Sequence, residues 1–324
     1  MAVVQISRIQ VRRGQKNQGS GVPQLSGGEF GWAVDSRELY IGNGSVAEGS
    51  PAVGNTKIIT EHDDLFTLAN TYTYLGGQTV QTGITSTSPV KRTLQQRLDE
   101  QVSIKSFGAA GDGSDQTVAI QRAIDQLYIN SSTKGTEESR AVLYFPPGTY
   151  KITSTIYIPP FASIVGAGKD KTKFNVTNNV VVFQTVNESS TPGNYANDSS
   201  STTINQPRQI VMKDFTVATT QTTQPVLKLQ SCKMSNFENI RITGPWTTGT
   251  AITRANAGLE LSSLSNVVCT QENKFDHVSV NGMSVGVVSD DDVYNNHFHC
   301  CYFTNLGQGV QFGQNTTLGS QGQT

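Results

Sequence analysis

The side chains best suited to acid–base chemistry in this 324-residue sequence are carboxylates and histidines in its last third. Hydrolysis of a glycosidic bond needs one protonated and one ionised carboxyl group, about 5–5.5 Å or about 6.5–9.5 Å apart. A histidine beside such a pair could share in the proton transfers. The candidates are Glu260, Glu272, Asp276, Asp290, Asp291 and Asp292, with His277, His297 and His299 as partners.

Turn formation is the competing interpretation of these residues. Asp and Asn are common in turns because their side chains hydrogen-bond nearby backbone groups, and Asp290–Asp292 precede two asparagines. Glu260 lies inside a predicted strand, whereas Asp276 and Asp290 lie at other positions of the pattern, so we expect that they do not converge. No acid–base pair is identified, and the weak catalytic candidates are Glu260, Asp276, Asp290 and Asp292.

Two stretches superficially resemble metal-binding tracts. In His297–Cys301, the residues Phe298 and Cys301 fall at positions predicted to face the core, which breaks up the ligand set. In Glu61–Asp64, consecutive side chains do not converge on one ion, so a solvated turn or helix cap is the better interpretation. We therefore expect no metal site and no cofactor.

Composition excludes several classes of protein. Charged residues make up 15% of the chain, the net charge is −1, and no dense Lys/Arg cluster occurs, which argues against nucleic-acid binding. No apolar run approaches the roughly 20 residues that span a bilayer. The N-terminus lacks a signal-peptide core, so we expect synthesis and folding in a cytosol. Cys232, Cys269, Cys300 and Cys301 have no framework spacing, which predicts buried free thiols.

The elements that must position these side chains begin at Lys105–Gly168. A glycine-rich turn leads into a predicted helix that Ser114 or Asp115 could cap. Apolar residues recur on one face of this helix at Ala119, Ile120, Ala123, Ile124 and Leu127. Short strands follow around residues 141–145, 150–152 and 156–158. An amphipathic helix before regular short strands suits the covered end of a strand solenoid.

A repeated template follows from residue 172 onward. Phe237-x-x-Ile240-x-Ile242 recurs at Phe275 and at Phe298, and Phe215-x-Val217 is a shorter version. A second short strand recurs between these templates, at residues 226–229, 258–261, 286–288 and 309–312. A period near 20–25 residues predicts one solenoid rung per repeat. Residues 187–207 and a segment around Trp246 are predicted to be loop insertions.

The run FGAAGDGSDQTVAIQRAID, followed by VLYFPPGTYKI and IPPFASIVGAG, resembles the start of the pectate-lyase-like right-handed β-helix. That family includes many bacteriophage tailspikes. Its usual opening has an acidic pair before the threonine, and Gln116 replaces the second aspartate here. The resemblance implies an all-β fold with a helix-capped parallel β-helix over residues 105–324.

The N-terminal pattern RRG…GE.G…D…LYIGNG is similar to small attachment modules of phage tail fibres and spikes. We assign it residues 1–63, with a hairpin that turns at Asp35–Glu38. Residues 64–104 are predicted to be a connector with a short neck helix, since Val90, Leu94, Leu98 and Val102 recur every four residues. This stripe packs either on its own chain or around a threefold axis, and the resemblance favours a homotrimer.

Together these features predict a virion protein of a phage tail, a tailspike or tail fibre made in the host cytoplasm. Its expected partners are two further copies of itself, tail or baseplate proteins and a host-surface polysaccharide. The alternative is a polysaccharide depolymerase, a hydrolase or lyase acting on capsule or lipopolysaccharide, and both functions need the same shaft. We favour the attachment role for this chain, because no acid–base pair is identified and its rung pattern runs to the C-terminus without a closing cap.

Overall fold

The computed structural model describes residues 11–17, 21–44, 46–48, 53–60, 72–73, 91–92, 101–129, 141–196 and 198–313. The chain divides into two compact units, Met1–Leu98 and Asp99–Thr324. Within the described residues, no helix has the length and apolar character needed to cross a membrane. The division at residues 63 and 104 made from the sequence stays a prediction, although a strand of the second unit already begins at Gln101.

The N-terminal unit contains a small four-stranded sheet. Its strands, in spatial order, are β1 (Arg12–Gly14), β2 (Phe30–Ala33), β3 (Glu38–Gly42) and β4 (Asn55–Ile58). The predicted hairpin is confirmed, because β2 and β3 pair antiparallel on either side of the turn. Leu25 is buried against this sheet, where a side chain at Gly31 would come within 2.9 Å of its Cδ1 atom. A 3-10 turn spans Val46–Glu48.

The helix predicted over residues 89–102 is wrong at both of its ends. Lys91–Arg92 form strand β6, which pairs antiparallel with β5 (Tyr72–Thr73). Val102 lies in strand β7 (Gln101–Ser103), which hydrogen-bonds to the next rung of the second unit. An apolar residue every four positions also suits separate short strands, and here pairing partners decide the conformation. The other stripe residues, like Glu61–Asp64, lie outside the described residues.

The second unit is all-β apart from short helical segments, and its described residues form seven rungs of a parallel β-helix. The first rung contains β7 and β8 (Asp112–Asp115). The second contains β9 (Val142–Phe145), β10 (Gly148–Ile152) and β11 (Ile156–Ile158). The third contains β12 (Ser163–Gly166), β13 (Thr172–Val176) and β14 (Phe183–Thr185). The fourth rung contains β15 (Val211–Thr219) and β16 (Leu227–Gln230). The fifth contains β17 (Asn236–Thr243) and β18 (Ala257–Ser262). The sixth rung contains β19 (Lys274–Asp276), β20 (Ser279–Asn281) and β21 (Val285–Ser289). The seventh contains β22 (His297–His299), β23 (Tyr302–Thr304) and β24 (Gln308–Phe312).

The strands stack in three parallel columns. The first column runs from β7 to β22, the second from β8 to β23, and the third from β11 to β24. The long strands β15 and β17 pass through both the first and the second column, which joins these columns into one sheet. Most strands, such as β9, β11 and β12, point alternate side chains inward, so the core is a continuous stack along the solenoid.

The repeated phenylalanine template is confirmed for its last three copies. Phe237, Phe275 and Phe298 pair in register and stack with ring centroids 5.0 and 4.6 Å apart. The predicted alignment of Phe215 with Phe237 is wrong, because Phe215 pairs with Ile240. Met212 occupies the position above Phe237 instead, since register follows the inward-facing alternation rather than the identity of the residue.

The predicted capping helix is present as α1 (Thr117–Ile124), continued by a π-helical turn over Asp125–Ile129. Ile120 and Ile124 are fully buried, and the predicted Leu127 is half-buried against the same core. The helix therefore covers the apolar end of the first rungs, as its sequence pattern predicts.

The N-cap position of this helix is held by Gln116, whose side chain makes no capping hydrogen bond, so neither Ser114 nor Asp115 is the cap that the sequence predicts. Of the two, Asp115 rather than Ser114 bonds the first turn. Its carboxylate accepts hydrogen bonds from the backbone N–H and the hydroxyl of Thr117, at 3.0 and 2.6 Å. Gln116, the departure from the family's usual opening, is buried and donates to Asp112 Oδ1 and Ser114 Oγ. A glutamine amide therefore organises the turn where an aspartate is usual.

In the later rungs, a ladder of buried hydrogen bonds around Asn273 and Asn296 lies at the corner just before the first column of strands. Asn273 donates to the carbonyl of Cys232 at 2.8 Å and to Asn296 Oδ1 at 2.9 Å. Its own Oδ1 accepts from the backbone N–H of Ser235 at 3.1 Å. All four residues are buried, so these bonds satisfy backbone groups at turns that the strand ladders leave unpaired.

All four cysteines are free thiols, but they are not all buried. Cys232 and Cys269 lie in the core, whereas Cys300 is exposed and Cys301 is half-buried. The prediction of four buried thiols is wrong for Cys300, because it occupies an outward corner with a positive φ of 50°.

Candidate functional site

Three of the predicted catalytic carboxylates lie in or beside the third column and have structural partners. Glu260 forms an ion pair with Lys228 of the preceding rung, with Nζ and Oε1 2.9 Å apart. Asp290 is hydrogen-bonded by the guanidinium of Arg254. Asp292 lies at a corner with φ of 57°, as turn chemistry predicts.

Asp276 lies in the first column, away from that set in the strand order. Its Oδ1 atom is 2.7 Å from Nδ1 of His277 and 2.9 Å from Nδ1 of His299. The hydrogen bond from His299 holds the pKa of the Asp276 carboxyl below its usual range. Asp276 and Glu260 therefore belong to different sheets.

A groove that the sequence did not indicate lies beside the capping helix. It has a volume of about 780 Å³ and is open to solvent on one side. Its walls are the outer face of α1, the turn between β10 and β11, strand β11 and the loop inserted after β14. The lining residues are Thr117, Val118, Gln121, Arg122, Asp125, Gln126, Ser154, Thr155, Tyr157, Pro192 and Tyr195.

Two tyrosines form the aromatic surface of this groove. The rings of Tyr157 and Tyr195 are stacked, with centroids 4.2 Å apart and planes inclined by 19°. Tyr157 projects outward from β11 because Ile156 and Ile158 on either side of it face the core. Tyr195 comes from the inserted loop, and its hydroxyl donates to Asp125 Oδ2 at 2.8 Å.

Asp125 is held by two donors from different elements. Besides the Tyr195 hydroxyl, Nε2 of Gln121 donates to Oδ1 at 2.8 Å. Burial in the groove raises the pKa of the Asp125 carboxyl above its ordinary value, although both hydrogen bonds oppose the shift. Gln121 in turn accepts from the backbone N–H of Tyr157 at 2.8 Å, which fixes the amide between the helix and β11.

The arrangement combines a pair of stacked aromatic rings with hydrogen-bonding groups beside them. Tyrosine faces supply contact area, and the carboxylate, amide and guanidinium of Asp125, Gln121 and Arg122 supply acceptors and donors. Such a surface suits a ring that carries several hydroxyl groups. Asp125 is the carboxylate that lines the groove among the described residues, so a second catalytic carboxylate is not shown there.

Sequence reasoning missed the groove for a definite reason. Tyr157 carries a detectable signal, since it is an outward aromatic residue between two inward isoleucines. Tyr195 lies in a polar insertion whose path no local pattern determines. The two rings meet because the loop returns to the capping helix, which only the folded chain reveals.

A family model described as rhamnogalacturonase A/epimerase, pectate lyase-like matches residues 101–323, which is more than half of the chain. This chain belongs to that family. The match begins at β7, so it includes the first rung and the capping helix as well as the later rungs.

Individual relatives either match a short part of this chain or share little sequence identity with it. A glucan 1,3-beta-glucosidase of Cochliobolus carbonum is 39% identical over 66 residues, which is 20% of this chain and 7% of the enzyme. Among solved structures, Geobacillus virus E2 ORF18 matches 87% of this chain and 52% of its own, at 19% identity and a TM-score of 0.39. Tailspike protein 3 of bacteriophage CBA120 matches 89% of this chain and 48% of its own, at 15% identity and a TM-score of 0.40.

Proposed function

We propose that this protein is a bacteriophage tail component, a tailspike or tail fibre, that recognises a host-surface polysaccharide in the Tyr157–Tyr195 groove. The observation that carries the proposal is the stacked tyrosine pair beside a half-buried carboxylate. Pyranose rings pack their apolar faces on aromatic side chains while their hydroxyls bond to polar groups at the rim. Membership of a family named for polysaccharide-modifying enzymes supports the same class of ligand.

The tail assignment rests on the N-terminal unit. The residues that resemble phage attachment modules include those that form β2, its hairpin turn and β3. Within this unit Glu38 accepts from Lys16 and Lys57 at 2.7 and 2.8 Å, which holds the pKa of its carboxyl far below its usual range. These contacts give the small sheet a stable polar face. Docking to a tail or baseplate protein and assembly as a homotrimer are parts of the proposal.

Binding should be tested by affinity electrophoresis of the purified chain in gels that contain capsular polysaccharide or lipopolysaccharide from candidate hosts. We expect one host's glycan to retard the protein. Tyr157→Ala and Arg122→Ala should reduce the retardation, because they remove the aromatic surface and a charged donor. Tyr302→Ala is the matched control, since Tyr302 is an exposed tyrosine in β23 outside the groove. Equal retardation of all variants would contradict a role for the groove.

Location in the virion needs a separate experiment. Antibodies against the chain should label the tails of purified phage particles in electron micrographs, and mass spectrometry of those particles should recover its peptides. Labelling of lysate debris alone, with no peptides in purified particles, would contradict the tail assignment while leaving glycan binding intact.

Depolymerase activity is the second candidate, and Asp125 is the observation that favours it. A carboxyl whose pKa is raised by burial has the property of a general acid. The mechanism also needs a second carboxylate at one of two separations, and the groove's described lining offers none. We therefore expect the chain to leave these glycans uncut. New reducing ends or unsaturated sugars that disappear in Asp125→Asn would establish the enzyme instead.

A further inference from the structure

A second cluster of functional side chains lies on the last two rungs, outside the groove. Asp276 ends β19 and His299 ends β22, and the two residues are paired partners in adjacent strands. His277 follows Asp276 at the corner between the first and second columns. The ligand atoms of these three residues all lie within 4.8 Å of one another.

The backbone fixes the position of the corner histidine. His277 has a positive φ of 52°, and its N–H donates to the carbonyl of His299 at 3.0 Å. Its own carbonyl accepts from Nζ of Lys169 at 2.8 Å. The same corner in the preceding rung is occupied by Asn239, whose φ is 54°. His277 is therefore turned out of the strand and held beside the neighbouring rung.

The potential ligand atoms of the two histidines lie beside the same oxygen atom of Asp276. Nδ1 of each histidine faces the same Oδ1 of Asp276, at 2.7 and 2.9 Å. The side chains of His277 and His299 are 55% and 67% exposed, whereas that of Asp276 is 19% exposed. Two imidazole nitrogens and one carboxylate oxygen are thus clustered at the surface, where water could complete the coordination of a bound ion.

The separations suit a small transition-metal ion after a modest adjustment. Bonds of about 2.0–2.2 Å to nitrogen and oxygen place neighbouring tetrahedral ligands about 3.3 Å apart. The two rings would therefore have to move outward by about half an ångström, and their exposure leaves room for this. Lys274 lies 3.7 Å from the other carboxylate oxygen, so it opposes binding without blocking Oδ1.

We propose that Asp276, His277 and His299 bind one divalent transition-metal ion, such as Zn²⁺, which links the last two described rungs. Two imidazoles and a carboxylate favour Zn²⁺, Co²⁺ or Ni²⁺ over Ca²⁺ and Mg²⁺, which prefer oxygen ligands. The sequence-based expectation of no metal site considers only ligands within residues 297–301 and within residues 61–64. Here the ligands come from two rungs, and neither Phe298 nor Cys301 is needed.

The test uses the full chain, treated with EDTA and dialysed, and titrated with Zn²⁺ by calorimetry. We expect one ion per chain and a rise in the melting temperature with Zn²⁺, because an ion that binds only the folded state stabilises it. Co²⁺ should give the visible absorption of a site with nitrogen and oxygen ligands. Ca²⁺ at the same concentrations should change neither the heat signal nor the melting temperature.

Two variants that preserve the surface test the ligand set. His277→Asn keeps a side chain that tolerates a positive φ, and His299→Gln keeps a polar side chain of similar length. Each should weaken Zn²⁺ binding at least tenfold and abolish the Zn²⁺-dependent melting shift. His297→Gln, two residues from His299 on the same strand, is the matched control and should bind like the unmodified chain. Circular dichroism without metal verifies that each variant is folded.

Two results would overturn the proposal. One is unchanged Zn²⁺ affinity in folded His277→Asn and His299→Gln. The other is loss of binding in Cys300→Ser with retention in His277→Ala, since Cys300 Sγ lies 3.6 Å from Nε2 of His299 and would then define a different site.

Discussion

At the scale of single residues, positive-φ positions determine where each rung turns. Asp214, Asn239, His277 and Cys300 occupy equivalent corners between the first and second columns, with φ between 50° and 65°. Asn and Asp tolerate this conformation better than most residues, and Asn239 donates to Asp214 at 2.6 Å across the rungs. The predicted role of acidic and amide residues in turns is thereby confirmed for this corner. The later histidine has other support, because the N–H of His277 donates to the carbonyl of His299 in the next rung.

The first prediction concerns the pH dependence that Asp125 gives to stability. Because burial raises its pKa in the folded state, ionisation of Asp125 opposes folding. The penalty is absent below the ordinary carboxyl pKa and grows as pH rises from about 4 through the raised value. Compared with Asp125→Asn, the unmodified chain should therefore lose relative stability as pH rises above about 4. Urea unfolding at a series of pH values measures the difference.

Asp112 provides a control of opposite sign. Hydrogen bonds from Ser114 hold the pKa of the Asp112 carboxyl below its usual range, so this group stabilises the folded state when ionised. Compared with Asp112→Asn, the unmodified chain should lose relative stability as pH falls below about 4. Slopes of the same sign for both substitutions would contradict the assigned environment of Asp125.

The second prediction concerns the buried polar ladder. Asn273→Ala leaves a backbone N–H and a carbonyl without their side-chain partner inside the solenoid. Leaving a buried polar group unpaired costs about 1–3 kcal/mol, so the free energy of unfolding should fall by at least that amount. Asn281→Ala removes an exposed hydrogen bond to Thr304 and should change the free energy of unfolding by less than about 0.5 kcal/mol. Equal effects of the two substitutions would show that the ladder contributes little.

At the scale of elements, the capping helix leads to the third prediction. Ile124→Ala removes a fully buried side chain between α1 and the core and should cost about 2–5 kcal/mol. Val118→Ala alters the outer face of the same helix, where the side chain is 69% exposed, and should cost less than about 1 kcal/mol. Chemical denaturation of both variants measures the difference. Similar unfolding midpoints would mean that the helix does not cover the solenoid.

Elements were predictable from the sequence where local patterns determine them. The apolar face of α1 and the alternation in β9, β10 and β11 are visible in the residues, and the structure confirms them. The alignment of Phe215 failed because a methionine replaces phenylalanine in that copy of the template. The predicted helix over residues 89–102 failed at its ends because strand partners are distant in sequence.

The candidate site was less predictable than the fold because its residues are brought together across the chain. Tyr195 reaches Tyr157 through the path of an insertion, and His299 reaches Asp276 through the register of adjacent rungs. The sequence identifies Asp276 as a catalytic candidate and not as a metal ligand. Its histidine partners were recognised as chemistry-bearing side chains, whereas their convergence depends on a corner conformation that sequence periodicity does not encode.

At the scale of the whole molecule, the fourth prediction is assembly as a homotrimer. It rests on the tailspike resemblance, since the apolar stripe at residues 90–102 is not helical at its described ends. Sedimentation equilibrium of the purified chain should give three copies over a wide range of concentrations. A stable, folded monomer throughout that range would contradict the prediction.

The insertion after β14 also has a consequence for evolution. Its two ends are anchored in ladders that do not involve the loop, because β14 pairs with β16 while β15 pairs with β12. The loop nevertheless supplies Pro192 and Tyr195 to the groove. Recombination that exchanges residues 188–205 between related genes would thus replace one wall of the groove, while the buried Gln206 keeps its hydrogen bonds to the carbonyls of Ser231 and Cys269 in the following rungs. A lineage with this architecture can change the surface of this groove by exchanging a single loop, while the solenoid is inherited unaltered.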